Sequence, residues 1–503
     1  MGDHRVVEHG SGADSLLVLC GLFAVFVALG VLRSRGWSLT STVGEGVFGG
    51  VALVGYVLLL ALGALFVWAV QAPERATYLL GGSAALGVFP AIPKLPFLQD
   101  VTHALLVLFV VANWRSLRAW REIRMQLDAR LVSCLVFLLV AVVSVVVNFL
   151  QRGDVWQLKV GLSGLLLLGI FFLVLCIMVV SPAPTVFNQL RKGFLDSAQI
   201  AAASGCVALV LLLVAPYSTG LAGDGQDTLG GLAYFDRLKL MFDGPGIAAI
   251  YFVCAMSFAV HALSEHSSAI RNSARARLLF LVHASPWLIV ATGSRVGKIA
   301  LVVLILTGLS WKSVRSVSLI ALPTTFAALL IALDFQSLPS AVKFHLGYVF
   351  PEFFDASTLE KLRLGDRFLA LEERGDLLYQ AIPAVGEAPL LNQVIGMGYG
   401  VSGYSSSLYP SPHNQFIGLI VQVGVLGFAS YFLFWLTCSW RVLSSAWRFS
   451  SSGVGASWAF CVSLISIFGF AVSYQAEKKG WVLLLLLMMF NWAGASSEKS
   501  SRL

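Results

Sequence analysis

Two short stretches of this chain combine residue types that can do chemistry. In "YPSPHNQFIGLIVQVGVLG", His413 and Asn414 stand at the head of a long apolar run, behind Ser411 as N-cap and Pro412 at a first-turn position. The imidazole is thereby set at the positive end of a helix, where the dipole disfavours imidazolium and leaves a neutral ring able to accept a proton. In "ATGSRVGKIALVV", Arg295 lies in a turn between two apolar runs and Lys298 follows one helical turn later. Backbone N–H groups, a helix dipole and a guanidinium together make an anion site suited to phosphate or diphosphate. Each stretch also has a plainer reading. His413 can be an interfacial cap residue, and Arg295 and Lys298 can be snorkelling anchors of a short hairpin.

Gly424 and Gly427 lie below the histidine; eleven residues at about 100° each return Gly424 to nearly the face of His413. This leaves a stripe bare of side chains, open to a lipid tail or a neighbouring helix. A third group of candidates lies in "KLRLGDRFLALEERGDLLYQ", where Arg367 and Arg374 are mixed with Asp366, Glu372, Glu373 and Asp376. Mixed signs at this density usually mark a solvated helix with surface ion pairs. The string "GSRVGK" is not a nucleotide P-loop, because its glycines are too close together and no Ser or Thr follows Lys298. No acidic pair and no Cys/His spacing suggests a metal, so diphosphate chemistry here would rest on cations and helix dipoles.

The elements that must position these residues are membrane spans. Of 503 residues, 58% are hydrophobic and 12% charged, against a soluble norm of roughly a quarter charged. The expected fold is an all-α integral membrane protein of about 12–14 transmembrane helices with one large outer loop. Apolar runs fall near 15–32, 46–70, 77–91, 101–113, 131–150, 156–181, 197–216, 246–265, 278–293, 297–312, 316–333, 414–438, 455–473 and 480–494. The runs 77–91 and 101–113 are short enough to be re-entrant or tilted. The opening "MGDHRVVEHGSGAD" leads into a run without a small-residue cleavage pattern and reads as a retained first span.

The seven cysteines sit in or beside apolar runs as small buried hydrophobes, with neither a disulfide framework nor a metal site implied. The net charge of +8 sits mostly in short loops, so it reads as topology and not as a nucleic-acid surface. Arg115, Arg118, Arg121, Arg124 and Arg130 make their loop cytoplasmic. Counting onward makes "QLRKGF", "SSAIRNSARARLL", "WKSVRS" and "SWRVLSSAWRF" cytoplasmic too, and puts Arg295, the stretch 334–413 and His413 together on the outer side. The organisation is therefore a helix bundle over 1–333, a large loop over 334–412, and C-terminal spans over 413–503. In the loop, short helices on the membrane surface should precede an irregular crossing over the bundle's outer mouth. No inverted internal repeat is evident.

The order of these features resembles the O-antigen ligase and O-antigen polymerase superfamily. His413 and Asn414, then Gly424 and Gly427, are similar to its histidine motif; "TGSRVGKIALVVL" resembles its arginine at the outer start of a span. "ERGDLLYQAIPAVGEAPLLNQVIGMGYG" resembles its arginine and "P-x-x-G-x-G" stretch, with Glu373 in place of a small residue and the aromatic offset to Tyr379. The resemblance covers roughly residues 285–430.

It implies a metal-independent, inverting glycosyltransferase without a cofactor, on the periplasmic face of the bacterial inner membrane. The donor is a glycan on undecaprenyl diphosphate; the acceptor is a sugar hydroxyl of a lipid-linked glycan or of lipid A core. His413 would be the general base, and Arg295 and Arg374 would hold the diphosphate, with Lys298 and Arg367 as further candidates for that task. A chain-length regulator is a candidate partner. Polymerisation of surface polysaccharide (O-antigen, capsule or exopolysaccharide) is the leading reading, and ligation to lipid A core the alternative. A flippase would place charges at mid-span and pair two pseudo-symmetric halves.

Overall fold

The computed structural model describes residues 67–85, 101–114, 129–180, 183–214, 245–265, 272–292, 295–310, 312–333, 386–399 and 415–447, with Leu17, Cys20, Gly21 and Ala64. Among the described residues every regular element is helical. The protein is an all-α integral membrane protein. Five of its described helices are long and apolar enough to cross a membrane.

In chain order the helices are α1 (Pro73–Gly82), α2 (Val101–Ala112), α3 (Ala129–Arg152), α4 (Val155–Val180) and α5 (Ala183–Val214). They continue with α6 (Pro245–Glu265), α7 (Asn272–Ala291), α8 (Arg295–Ser310), α9 (Lys312–Leu333), α10 (Leu390–Ile395) and α11 (Gln415–Trp447). Most coincide with the apolar runs read from the sequence. Several begin earlier than hydropathy suggests: α5 takes in "QLRKGF", expected as a loop, α7 takes in Arg275 and Arg277, and α9 takes in Lys312 and Arg315 of the expected loop "WKSVRS". In α5 no second proline follows Pro184, which stands in the first turn where proline is tolerated. Leu190 and Phe194, four residues apart, bury one face while the basic residues take another. The run expected at 77–91 is a helix of ten residues, α1, which begins at Pro73 and closes in a 3-10 turn over Ser83–Ala85. The runs 46–70 and 15–32 fall almost wholly, and 455–473 and 480–494 wholly, outside the described residues.

Close helix packing here is a matter of small residues, since lipid offers no hydrophobic drive between helices. The α1–α5 crossing shows it. A Cβ on Gly81 would overlap the backbone of Leu190, and one on Gly193 the carbonyl of Tyr78. Beside that contact the Tyr78 hydroxyl donates to Asp196 Oδ2 at 2.8 Å, with both side chains buried. Ser197 and Tyr251 join α5 to α6 through a 2.8 Å hydroxyl pair. His283 Nδ1 and Thr324 Oγ1, 2.6 Å apart, join α7 to α9.

A second group is built on α3, α4 and α11. The turn "QRGDVW" joins α3 to α4 with Gly153 in the left-handed region (φ 66°) and Asp154 as N-cap, its Oδ1 accepting from Trp156 N at 2.8 Å. Helices α3 and α11 are antiparallel: Ser133 Oγ meets Thr437 Oγ1 at 3.1 Å, and Ser144 Oγ meets Gln422 O at 2.7 Å. The α3–α4 turn and the start of α11 therefore share one end of the bundle.

Candidate functional site

The helix that follows His413 is not continuous. At Gly424 the backbone leaves the helical region (φ 66°, ψ −174°), dividing α11 into a half-helix over 415–423 and a longer piece beyond it. A break of this kind frees the carbonyls of the preceding turn from their i+4 donors. Two of these are taken up by the loop: Met397 N donates to Val421 O at 2.8 Å and Gly398 N to Gln422 O at 3.0 Å. In a membrane, irregular backbone survives only where protein satisfies it, and this pairing does so.

The loop reaches these carbonyls by entering the bundle. Pro389 starts the short α10, Gly396 ends it with φ 82°, and Gly398 follows at φ 114°. Residues 395–399 are all buried. This corrects the expected crossing over the mouth: the segment is inserted about eight residues below the end of α3, or roughly 12 Å at 1.5 Å per residue. The reason is steric. Without side chains on Gly396 and Gly424, the two backbones can touch; a Cβ on either would overlap the peptide groups of the other strand of chain.

Tyr399 closes the insertion. Its ring lies on Gly164 of α4 and edge-on to Phe137 of α3, with centroids 6.0 Å apart. One turn beyond Ser144, towards the end of α3, Asn148 Nδ2 donates to Gln157 Oε1 at 2.9 Å. The buried Oδ1 atoms of Asn148 and Asn392 have no partner among the described residues.

The stripe expected beneath the histidine is thus occupied in two ways. Against Gly424 lies the backbone of Val394 and Ile395 at the end of the short helix α10; against Gly427 lies Val140 of α3, so neighbouring helices fill the stripe. The face counted down from His413 ends at the break. Arg295 heads α8. Lys298, one turn in, is buried within the bundle (7% exposed), which is not how a lipid-snorkelling anchor sits. Helix α8 packs chiefly on α6 and α9, and α11 on α3 and α10. His413, Asn414, Arg367 and Arg374 lie outside the described residues.

Residues 278–432 match the family model described as O-antigen ligase. The match supports a likeness of this stretch to the O-antigen ligase and polymerase superfamily. The O-antigen ligase match opens within α7, takes in α8 and the loop, and closes at Phe432, just past the break in α11. The match supports glycosyl transfer of the O-antigen ligase or polymerase type in general terms. No curated protein matches the chain. Helices α3 and α4, which hold the inserted loop, lie outside the O-antigen ligase match. Their part in the site was missed from sequence, although the spacing of Gly396 and Gly398 was a signal of close backbone approach.

Proposed function

We propose that this protein transfers a glycan from undecaprenyl diphosphate to a sugar hydroxyl at the periplasmic face of the inner membrane, polymerising surface-polysaccharide repeat units. The observation that carries this reading is the O-antigen ligase match across Arg295, the long loop and the histidine helix. The insertion of the loop's glycine stretch into the break of that helix supports it, because it links the chain bearing Arg374 to the chain bearing His413.

In the reaction, His413 takes the acceptor's proton as its oxygen attacks the anomeric carbon. The bond from that carbon to the diphosphate oxygen breaks and the configuration inverts. Arg295 and Arg374 hold the diphosphate and stabilise the charge it gains on leaving. Lys298 and Arg367 are further cations for this task. Buried Lys298 would act at close range, in a medium where charge is weakly screened. No metal ion or cofactor is assigned a step.

The second reading, ligation to lipid A core, is favoured by the description of the matching family as O-antigen ligase. Purified protein in lipid nanodiscs, supplied with undecaprenyl-diphosphate-linked repeat units alone, separates the two. A ladder of longer lipid-linked chains is the expected result. Reaction only after lipid A core is added would establish the ligase, and no transfer under either condition would overturn the enzyme reading.

A further inference from the structure

We propose that Ser144 is the positioning residue for the histidine end of this site, because one hydroxyl of α3 holds both flanks of the segment that carries His413. The proposal rests on the glycosyl-transfer reading above. Ser144 is fully buried. Its Oγ donates to Gln422 O at 2.7 Å and accepts from Gly398 N at 3.1 Å, while Gly398 N also reaches Gln422 O at 3.0 Å. Three atoms from three distant parts of the chain close a triangle of hydrogen bonds.

The sequence positions of its corners give the triangle its consequence. Gly398 lies before His413 in the chain and Gln422 after it, so the junction ties together the two ends of the stretch of chain that contains His413. The break at Gly424 matters equally. A continuous α11 would hold its first turns in register by its own i→i+4 bonds, but the half-helix over 415–423 is cut off from that support. Its depth against the bundle is set instead by what grips its last carbonyls. The loop amides grip them first, and Ser144 fastens that pair to α3.

Helix α3 is a fit anchor. It runs unbroken for 24 residues, packs on both α4 and α11, and carries Phe137 against Tyr399 at the tip of the insertion. Removing the hydroxyl leaves Gly398 N bonded to Gln422 O, so no buried donor is orphaned and the fold is kept. What is lost is the tether between the histidine half-helix and the frame. A general base displaced by about 1 Å loses on the order of 100-fold in rate, without loss of substrate binding elsewhere.

The test uses the full chain in nanodiscs with undecaprenyl-diphosphate-linked repeat units as the probe, comparing Ser144→Ala, Ser144→Cys and His413→Ala. We expect Ser144→Ala to lower kcat about 10- to 100-fold with KM for the repeat unit within about twofold. Ser144→Cys, which keeps a weak donor and acceptor at similar size, should recover part of that loss. Wild-type kcat in Ser144→Ala beside an inactive His413→Ala overturns the positioning role alone. Wild-type activity in His413→Ala overturns the underlying reading instead. A raised KM with unchanged kcat, or equal losses in both Ser144 variants together with a lowered melting temperature, would make Ser144 merely structural. Should Ser144→Ala fail to accumulate, Ser144→Cys decides: reduced kcat at unchanged KM supports the proposal and wild-type kcat overturns it.

Discussion

Gly396 and Gly424 lie backbone to backbone, each placed where a side chain would overlap the peptide groups next to the other. One ends the short helix of the loop and the other breaks the helix that follows His413, and both take positive φ (82° and 66°). Their contact is what lets a loop enter a membrane bundle and satisfy the carbonyls that a broken helix exposes.

Gly424→Ala should therefore fail twice. An alanine at φ 66°, ψ −174°, a region essentially confined to glycine, costs roughly 1–3 kcal/mol on backbone grounds alone, and its methyl must also push Val394 and Ile395 away. The expected outcome is a lower melting temperature together with lost transfer, read by a thermal-shift assay and a glycan gel on the same preparation. Unchanged values of both would show that the two backbones do not need the contact.

His413→Ala should abolish glycan transfer while the protein still inserts and folds. Loss of a general base is worth roughly 10²–10⁴ in rate. Near-wild-type polymer on a glycan gel from cells making the variant would remove His413 from the chemistry.

Arg295→Ala should impair donor use far more than Arg295→Lys, since lysine keeps the charge but not the bidentate fork. The comparison is made by initial rates against donor concentration in purified protein. Equal rates for wild type and both variants would speak against a diphosphate contact.

Tyr78→Phe tests the other side of the bundle. The phenol donates to the buried Asp196 carboxyl at 2.8 Å, and its removal leaves that group short of a donor. A loss of about 1–3 kcal/mol is expected, seen as a lower melting temperature. An unshifted melt would mean that the pair adds nothing to the α1–α5 contact.

Much of this protein can be read before folding is considered. Apolar length sets where helices run, because a hydrocarbon core of fixed thickness accepts little else; α2, α3, α4, α6 and α8 begin within two residues of their apolar runs. Helix-start chemistry marked Arg295 at the head of α8, where the structure begins that helix, and the order of arginine turn, loop and histidine motif pointed to the superfamily that the family match then bore out. The starts of α5 and α7 were misread because hydropathy stops at charged residues, whereas a helix continues through Arg191 and Lys192 wherever one face stays buried.

Only the tertiary structure decided what Gly424 does. A glycine in an apolar run reads equally as a small packing residue or as a break, and the choice depends on whether another segment supplies donors to the freed carbonyls. Here Met397 and Gly398 supply them from more than twenty residues away, and Ser144 fastens them from more than 250 residues away. Hydrogen bonds between such distant positions leave no periodic trace in a sequence, which is why the residues flanking the histidine were legible and the residue that holds them was not.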